Sequence, residues 1–306
     1  MREPRLPMST FSYADAQRLG ITDRLLRRLV RDGRVIKLRP NTYIDATAAG
    51  LQSPTALYLA EARTVAAQLD GNYVLAQETA AVVHGLRTPR RFAGAPARIC
   101  LYTEDSRNSC TRNGVHVSVS PLHPGDTVIV DGTRVTSIAR TSIDLARGNS
   151  LPASLIALDS ALALGVEPAA LMDVARRMKQ WRGTKILRSA IPLADARSES
   201  ALESAARGAC LAAGLPAPDL QVALIGASGR RYRVDMVWTS ARLILEPDGI
   251  QKYGDTDSER RRNFEREKDR EDDLRAADYR IIRVTWNTLP ERVALIAAHL
   301  RKRTAR

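Results

Sequence analysis

The sequence lacks the features of a membrane protein, of a disulfide-stabilised protein and of a protein with a structural zinc site. No apolar run approaches the length of about 18 residues that a membrane span needs, and the opening stretch, MREPRLPMST, lacks the apolar segment of a secretory signal. The three cysteines, Cys100, Cys110 and Cys210, form no CxxC or Cys/His spacing. We therefore expect reduced thiols in a cytoplasmic protein with no membrane partner.

Aromatic residues are scarce, and the common nucleotide-binding and hydrolase motifs are missing. Aromatics make up 5% of the 306 residues and apolar residues 44%, so the core must consist mainly of Leu, Ile, Val and Ala. The sequence has no P-loop, Rossmann glycine pattern or nucleophile elbow. His84, His116 and His123 are scattered without metal-ligand spacing. We expect His84 to be a packed or capping residue.

Positive charge is abundant and is concentrated at the two ends of the chain. The formal net charge is +13, and residues 1–43 hold ten Lys or Arg against four Asp or Glu. Residues 230–306 hold nineteen against fourteen, which leaves the long middle of the chain nearly neutral. An Arg-rich and Ala-rich composition can be basic without a functional reason. The uneven distribution nevertheless favours nucleic acid as a partner.

The N-terminal segment predicts two helices followed by a hairpin. A short helix stops at Gly20, and Thr22 can cap a second helix that ends at Gly33. The next residues, RVIKLRPNTYI, alternate as a hairpin with Pro40 and Asn41 at its tip. This is the order of a winged helix-turn-helix, in which the second helix enters the major groove.

The basic residues of this segment gather on the second helix and the hairpin. The apolar side chains of the helix share one face, which leaves its arginines on the remaining surface. We interpret them as ligands of double-stranded DNA, the alternative being a small helical domain with solvated arginines. The candidate DNA-binding residues are Arg24, Arg27, Arg28, Arg31, Arg34, Lys37 and Arg39.

The segment resembles the N-terminal domain of the AbiEi family of type IV toxin–antitoxin antitoxins. The resemblance continues through YVLAQETAAVVHGL (Tyr73–Leu86) and RVTSIARTSIDLAR (Arg134–Arg147), although Ala76 and Gln77 stand where the family usually has a Ser-His-like pair. It implies a winged-helix regulator that acts on its own operon and has a cognate toxin as a possible partner.

The middle of the chain predicts short strands and then helices. ARICLYT, GVHVSVSP and DTVIVDGTRVTS alternate apolar and polar residues. Helices are expected from RTSIDLAR, SLIALDSALALG and PAALMDVARRMK. Asp144 lies near Arg140 and Arg147, and we expect a structural ion pair there.

The C-terminal part predicts a helix, two strands joined by a turn, and a third strand. These elements carry Glu203, Asp235, Glu246 and Asp248, and we expect the four carboxylates to converge. Converging carboxylates suit Mg²⁺, which prefers oxygen ligands and can activate water at a phosphodiester. The alternative is an ion pair of Glu246 and Asp248 with Lys252, Arg231 or Arg233.

This part resembles the PD-(D/E)XK nuclease superfamily, particularly its very-short-patch-repair-like branch. The resemblance matches Asp235 to the first motif aspartate, Glu246-Pro247-Asp248 to the (D/E)xK stretch and Glu203 to the helical glutamate. It implies catalytic residues Glu203, Asp235, Glu246, Asp248 and Lys252, with Asp235, Glu246 and Asp248 as Mg²⁺ ligands. Asp248 replaces the usual lysine, so either Lys252 or Lys268 substitutes for it or the site is an inherited scaffold with weak or no cleavage.

Together these patterns predict a mixed α/β protein with three domains. Residues 1–50 form a winged helix, 51–195 an α/β and helical connector, and 196–306 a restriction-endonuclease-like domain. The expected function is sequence-specific DNA-binding regulation of the antitoxin type. The alternatives are an Mg²⁺-dependent DNA endonuclease targeted by the winged helix, and a C-terminal domain that only docks a toxin. The sequence indicates no oligomeric state.

Overall fold

A computed structural model of the chain shows a mixed α/β protein with several sheets, as expected. It describes residue 6 and residues 10–47, 53–69, 71–89, 97–105, 109–248 and 257–304. The chain divides into two compact units, of which the first comprises residues 1–86 and 91–141 and the second residues 87–90 and 142–306. Across the described helices, none combines the length and hydropathy needed to cross a bilayer.

The helices and strands of the first unit follow one another closely along the chain. Its strands are β1 (Phe11–Ser12), β2 (Val35–Arg39), β3 (Thr42–Asp45), β4 (Val74–Leu75), β5 (Ile99–Thr103), β6 (Cys110–Arg112), β7 (Val115–Val119), β8 (Thr127–Val130) and β9 (Thr133–Thr136). Its helices are α1 (Tyr13–Arg18), α2 (Asp23–Arg31), α3 (Pro54–Gln68) and α4 (Gln77–His84), and α5 (Ile138–Ala146) contains the boundary at residue 141.

The second unit is helical at first and then builds a sheet. Its helices are α6 (Leu151–Ala163), α7 (Pro168–Arg177), α8 (Leu187–Ala190), α9 (Ala201–Ala212), α10 (Asp257–Ala276) and α11 (Leu289–Thr304). Its strands are β10 (Asp219–Ile225), β11 (Arg231–Trp238), β12 (Leu243–Pro247) and β13 (Arg280–Val284).

The predicted helix–helix–hairpin order is present at the N-terminus. Strands β2 and β3 form an antiparallel hairpin, and Asn41 at its tip takes the left-handed conformation with φ +61°. Strand β1, which the sequence did not indicate, pairs with β3 and completes a three-stranded sheet in the order β1-β3-β2. The two helices pack on this sheet through a buried core that includes Ile21, Leu26 and Leu29.

The first unit also contains a six-stranded sheet, whose strand order is β6-β7-β5-β4-β9-β8. The strands predicted in the middle of the chain are present, whereas β4 and β6 were not predicted. His84 lies at the end of α4, and its Nε2 is 2.7 Å from the carbonyl oxygen of Thr136, which is a packed role as expected. Arg140 pairs with Asp126 at 2.9 Å, and both side chains are almost fully buried.

The second unit is organised around a buried ion pair and a four-stranded sheet. Arg207 on α9 binds both carboxylate oxygens of Asp159 on α6 at 2.8 Å. Asp144 pairs with Arg147 at 3.1 Å, which confirms the structural ion pair expected for it.

The sheet of this unit brings Asp235 on β11 beside Glu246 on β12, because Met236 pairs with Leu245 in antiparallel register. Its order is β10-β11-β12-β13, with antiparallel pairing up to β12 and a parallel pair of β12 with β13. One core contains Met236, Leu245 and Ile296, and a second contains Val234, Ile244 and Leu274. The helix, the two strands joined by a turn and the third strand that the sequence predicted are present as α9, β10, β11 and β12.

The predicted domain limits at residues 50 and 195 differ from the boundaries of the two compact units. Residues 1–50 lie inside the first unit together with the six-stranded sheet, and the predicted connector of residues 51–195 is divided between the units. The limits at 50 and 195 therefore remain predictions from sequence.

All three cysteines are free thiols, and Cys100 and Cys210 are buried.

Candidate nucleic-acid interface and carboxylate cluster

Helix α2 presents a strongly basic surface because its apolar residues are all used for packing. Thr22 caps the helix by accepting a hydrogen bond from the backbone N–H of Leu25 at 3.4 Å, a contact that typically contributes about 1 kcal/mol. Leu26 and Leu29 are buried beneath the helix. The opposite face is exposed, and it carries four arginines, Arg24, Arg27, Arg28 and Arg31.

The basic residues differ in how strongly the protein itself engages them. Arg24, Arg28 and Lys37 make no ion pair with the described residues, so their charge is available to a ligand. Arg27 lies 3.5 Å from Asp23, and Arg31 lies 3.2 Å from Asp32. An exposed pair of this kind contributes little to stability and can exchange its partner at low cost.

Asp23, at the first turn of α2, holds several polar side chains together. Its carboxylate accepts hydrogen bonds from the hydroxyl of Tyr13 and, at 3.2 Å, from Nε2 of Gln17. The hydrogen bond to Asp23 raises the pKa of the Tyr13 hydroxyl. Asp23 therefore links the first helix to the start of the second.

Arg39 is placed differently from the other predicted DNA ligands. Its side chain is only 15% exposed and pairs with Glu61 of α3 at 3.0 Å. It also donates to the carbonyl oxygen of Asn113 at 2.5 Å. Within the first unit, Arg39 therefore ties the hairpin to the neighbouring helix and strands.

The carboxylate cluster combines residues from three elements of the second unit. Glu203 lies in the first turn of α9, Asp235 on β11 and Glu246 on β12. Oε2 of Glu203 accepts a hydrogen bond from the backbone N–H of Glu199 at 2.7 Å and from Nε2 of Gln221 at 3.2 Å. The same Gln221 nitrogen lies 3.4 Å from Oδ1 of Asp235.

The environment of Asp235 raises the pKa of its carboxyl group. Burial raises the pKa of the Asp235 carboxyl to about 6, and the nearby carboxylates of Glu203 and Glu246 add to the effect. The hydrogen bond from Gln221 and the charge of Arg270 act in the opposite direction but do not cancel it. Gln221 itself has φ +54°, and its buried Oε1 has no hydrogen-bond partner among the residues that the structure describes.

A cation already occupies the position beside Glu246, and it comes from α10. The guanidinium of Arg270 binds both carboxylate oxygens of Glu246, one of them at 3.3 Å. It also pairs with Glu267 at 2.9 Å and donates to the carbonyl oxygen of Arg233 at 3.2 Å. The ion-pair alternative raised by the sequence is therefore realised for Glu246, with a partner that the sequence did not suggest.

In the described part of the chain, the side chains of Asp248 and Lys268 make no hydrogen bond or ion pair with this network. Arg233 pairs with Glu199 at 2.7 Å. The backbone N–H of Asp248 donates to Val284 at 2.7 Å, and its half-buried side chain makes no hydrogen bond to the described residues. Lys252 lies outside the described residues, and Lys268 is exposed on α10.

The fit of this cluster to a divalent cation can be judged from its donors. In the described part of the chain, no three His, Cys, Asp or Glu side chains are grouped closely enough to hold a metal ion. Glu246 is engaged by Arg270, and Glu203 is engaged by the start of its own helix. In this arrangement the cluster fits a guanidinium better than it fits Mg²⁺, and the metal site remains a prediction from sequence.

Comparison with known proteins gives a match for the N-terminal surface. Residues 8–44 match a family model described as "Transcriptional regulator, AbiEi antitoxin". This range covers α1, α2 and most of the hairpin, and includes all seven predicted DNA ligands. An N-terminal segment similar to an antitoxin-type regulator is therefore present in the chain.

Two similar proteins are matched over part of their length. The uncharacterized proteins MT2308 and Rv2248, from two strains of Mycobacterium tuberculosis, are each 35% identical to this chain over 123 residues, which is 40% of this chain and 45% of theirs. The match thus spans less than half of these relatives. A solved structure, the crystal structure of the RV2827C protein from Mycobacterium tuberculosis, has a TM-score of 0.40 and 16% identity, and the alignment covers 72% of this chain and 86% of that one.

Proposed function

We propose that this chain is a sequence-specific DNA-binding transcriptional regulator of the AbiEi antitoxin type, active in the cytoplasm. The observation that carries the proposal is the coincidence of two features in residues 8–44. The segment matches the antitoxin regulator family, and within it α2 exposes four arginines on one surface. The operon of the protein is the proposed target, and the toxin encoded there is its proposed partner.

The chemistry of this surface suits the major groove of duplex DNA. Arginine donates in a fork that matches the O6 and N7 acceptors of guanine, so exposed arginines on a groove-sized helix can read bases. Lys37 on the hairpin is exposed and suits a phosphate contact, which positions the protein without reading sequence. Arg39 contributes mainly by holding the hairpin through Glu61.

The test measures binding of the full chain to a duplex that spans the promoter of its own operon. Arg24→Ala or Arg28→Ala should weaken binding by about 1–3 kcal/mol and relax the preference for that duplex over a scrambled one. Lys37→Ala should weaken binding to both duplexes equally and reduce the slope of affinity against salt by about one. Fluorescence anisotropy across a salt series gives all of these quantities.

A matched control comes from the second unit. Arg262 is also an exposed arginine on a helix, so Arg262→Ala removes the same charge outside the proposed interface. We expect it to leave affinity and specificity unchanged. Equal losses for Arg262→Ala and Arg28→Ala would show that binding follows net charge, and the proposed reading surface would then be wrong.

The carboxylate cluster supports a second candidate, a metal-dependent DNA endonuclease. The supporting observation is the approach of three carboxylates. Gln221 contacts both Glu203 and Asp235, and Asp235 lies beside Glu246 on the neighbouring strand. Arg270 opposes this candidate because it neutralises Glu246 without any metal ion. Plasmid cleavage by the parent protein in Mg²⁺ or Mn²⁺, lost in Asp235→Asn, would favour the nuclease over a purely regulatory role.

A further inference from the structure

The second unit contains an apolar groove that neither the DNA interface nor the carboxylate cluster uses. The groove has a volume of about 650 Å³ and lies between α7 and the short helical segments around α8. Leu187 and Ile191 are buried and form part of its lining. Met172 lines it from α7 and is 51% exposed, so a large apolar side chain remains uncovered there.

The rim of this groove is positively charged. Arg176, Lys179, Lys185 and Arg188 line it, all four are exposed, and no Asp or Glu is among the described lining residues. Arg176 has a partner in Asp173 at 3.3 Å. The other three make no ion pair with the described residues, so no described carboxylate compensates their charge.

We propose that this groove docks an acidic amphipathic helix of a partner protein. An apolar floor binds the apolar face of a helix, as in other helix-in-groove complexes. A cationic rim then complements carboxylates on the flanks of that helix and speeds its association. The proposal concerns a surface of the second unit, and it does not depend on DNA binding by the first.

Two other occupants fit the groove less well. A second copy of this chain would bring a protein of net charge +13 against four further cations. A nucleic acid would use the cations but would gain nothing from an apolar floor. The obvious stacking platform, Trp181, already has the guanidinium of Arg147 over its ring at 5.4 Å.

The experiment selects peptides on the full chain from a displayed library of random peptides. The same library is panned on a groove variant, Lys179→Glu with Arg188→Glu, and on a control, Arg262→Glu with Arg266→Glu. Both double variants change the net charge equally, and the control residues are exposed on α10. Circular dichroism of each variant checks that it is folded.

We expect the parent and the control to enrich the same peptides, with an excess of Asp and Glu and with apolar residues at helical spacing. A synthetic copy of the best peptide should bind the groove variant at least about tenfold more weakly than the parent. Met172→Ser should also weaken it several-fold, because the apolar contact is lost. Duplex DNA should not displace the peptide from the parent.

Several outcomes would overturn the proposal. One is the enrichment of basic or neutral peptides, or the failure to enrich any peptide that binds the parent and the control but not the groove variant. A second is equal binding of the acidic peptide to the parent and to the groove variant. The third is displacement of the peptide from the parent by duplex DNA, which would assign the groove to nucleic acid.

Discussion

The contact between Arg270 and Glu246 gives the sharpest test of the second unit. Changing Arg270 to Met keeps most of the side-chain volume and removes the charge. It leaves the buried Glu246 without its cation and close to Asp235, whose pKa is raised by burial and by the charges of Glu203 and Glu246. We therefore expect Arg270→Met to destabilise the protein.

The expected size follows from the burial of the pair. Removing one partner of a buried ion pair costs about 3–5 kcal/mol because the other charge is left uncompensated. The Arg270 side chain is 20% exposed and that of Glu246 is 11% exposed, so some water screens the remaining charge. We expect a loss of about 2–3 kcal/mol. For a unit of this size, each kcal/mol lowers the melting temperature by about 2–4 °C.

The assay is a double-mutant cycle measured by urea unfolding. It compares the parent, Arg270→Met, Glu246→Gln and the double variant, and we expect a coupling free energy of about 2 kcal/mol. The control is Arg261→Met, because Arg261 and Glu265 form an exposed pair at 3.2 Å on the same helix. An exposed helical pair contributes about 0.3–0.5 kcal/mol. If Arg270→Met costs no more than Arg261→Met, the buried pair does not stabilise the protein.

The same variant separates a cation site from an ion pair. In the parent, a divalent ion must displace Arg270 to reach Glu246. In Arg270→Met the carboxylates face one another without a cation, so Mn²⁺ should raise the melting temperature more than it does in the parent. At ten times the dissociation constant the gain is about 1.4 kcal/mol. No response to Mn²⁺ in either protein, with EDTA as reference, would exclude metal binding by these carboxylates.

Two further predictions concern Asp235 and the contact of Gly183 with Gly148. Because the pKa of Asp235 is raised to about 6 in the folded protein, this carboxyl stabilises the fold at low pH, and that contribution is lost as pH rises from about 4 to about 6. Asp235→Asn should lack this loss, so its free energy of unfolding in urea should increase relative to that of the parent by about 1–2 kcal/mol over that range. A constant difference between the two proteins would contradict the raised pKa. A Cβ at Gly183, where φ is +82°, would lie 2.6 Å from the backbone nitrogen of Gly148. Thermal melts of Gly183→Ala should therefore show a larger loss of stability than those of the control Gly214→Ala, where φ is +73° with open space around the Cβ and the cost should be about 1–2 kcal/mol. Equal losses of stability would mean that backbone strain alone matters.

Local patterns in the sequence were sufficient for most of the secondary structure. Helix α2 could be predicted because its apolar residues repeat at helical spacing and Thr22 and Gly33 mark its ends. The hairpin followed from alternation around Pro40 and Asn41. Strands β1 and β4 have only two residues each and owe their existence to partners elsewhere in the chain, so no local signal predicted them.

Contacts between residues distant in sequence were beyond such patterns. The pairs Asp159–Arg207 and Asp126–Arg140 are buried, yet neither was predicted, because ordinary spacing rules link only residues that are neighbours on one helix or strand. Arg39 was predicted to contact DNA because it lies on a basic hairpin. Only the fold shows that Glu61 already binds it.

The carboxylate cluster shows how the same limit affects a functional interpretation. Adjacent strands and a preceding helix made the approach of Glu203, Asp235 and Glu246 predictable from topology, and the structure has Gln221 between Glu203 and Asp235. The cation that meets them was hidden in α10, where acidic and basic residues alternate so densely that Arg270 resembles any solvated arginine. A carboxylate pattern in a sequence therefore predicts a need for positive charge. Whether a metal ion or a guanidinium supplies it depends on which side chain the fold brings within reach, and here Arg270 reaches both oxygens of Glu246.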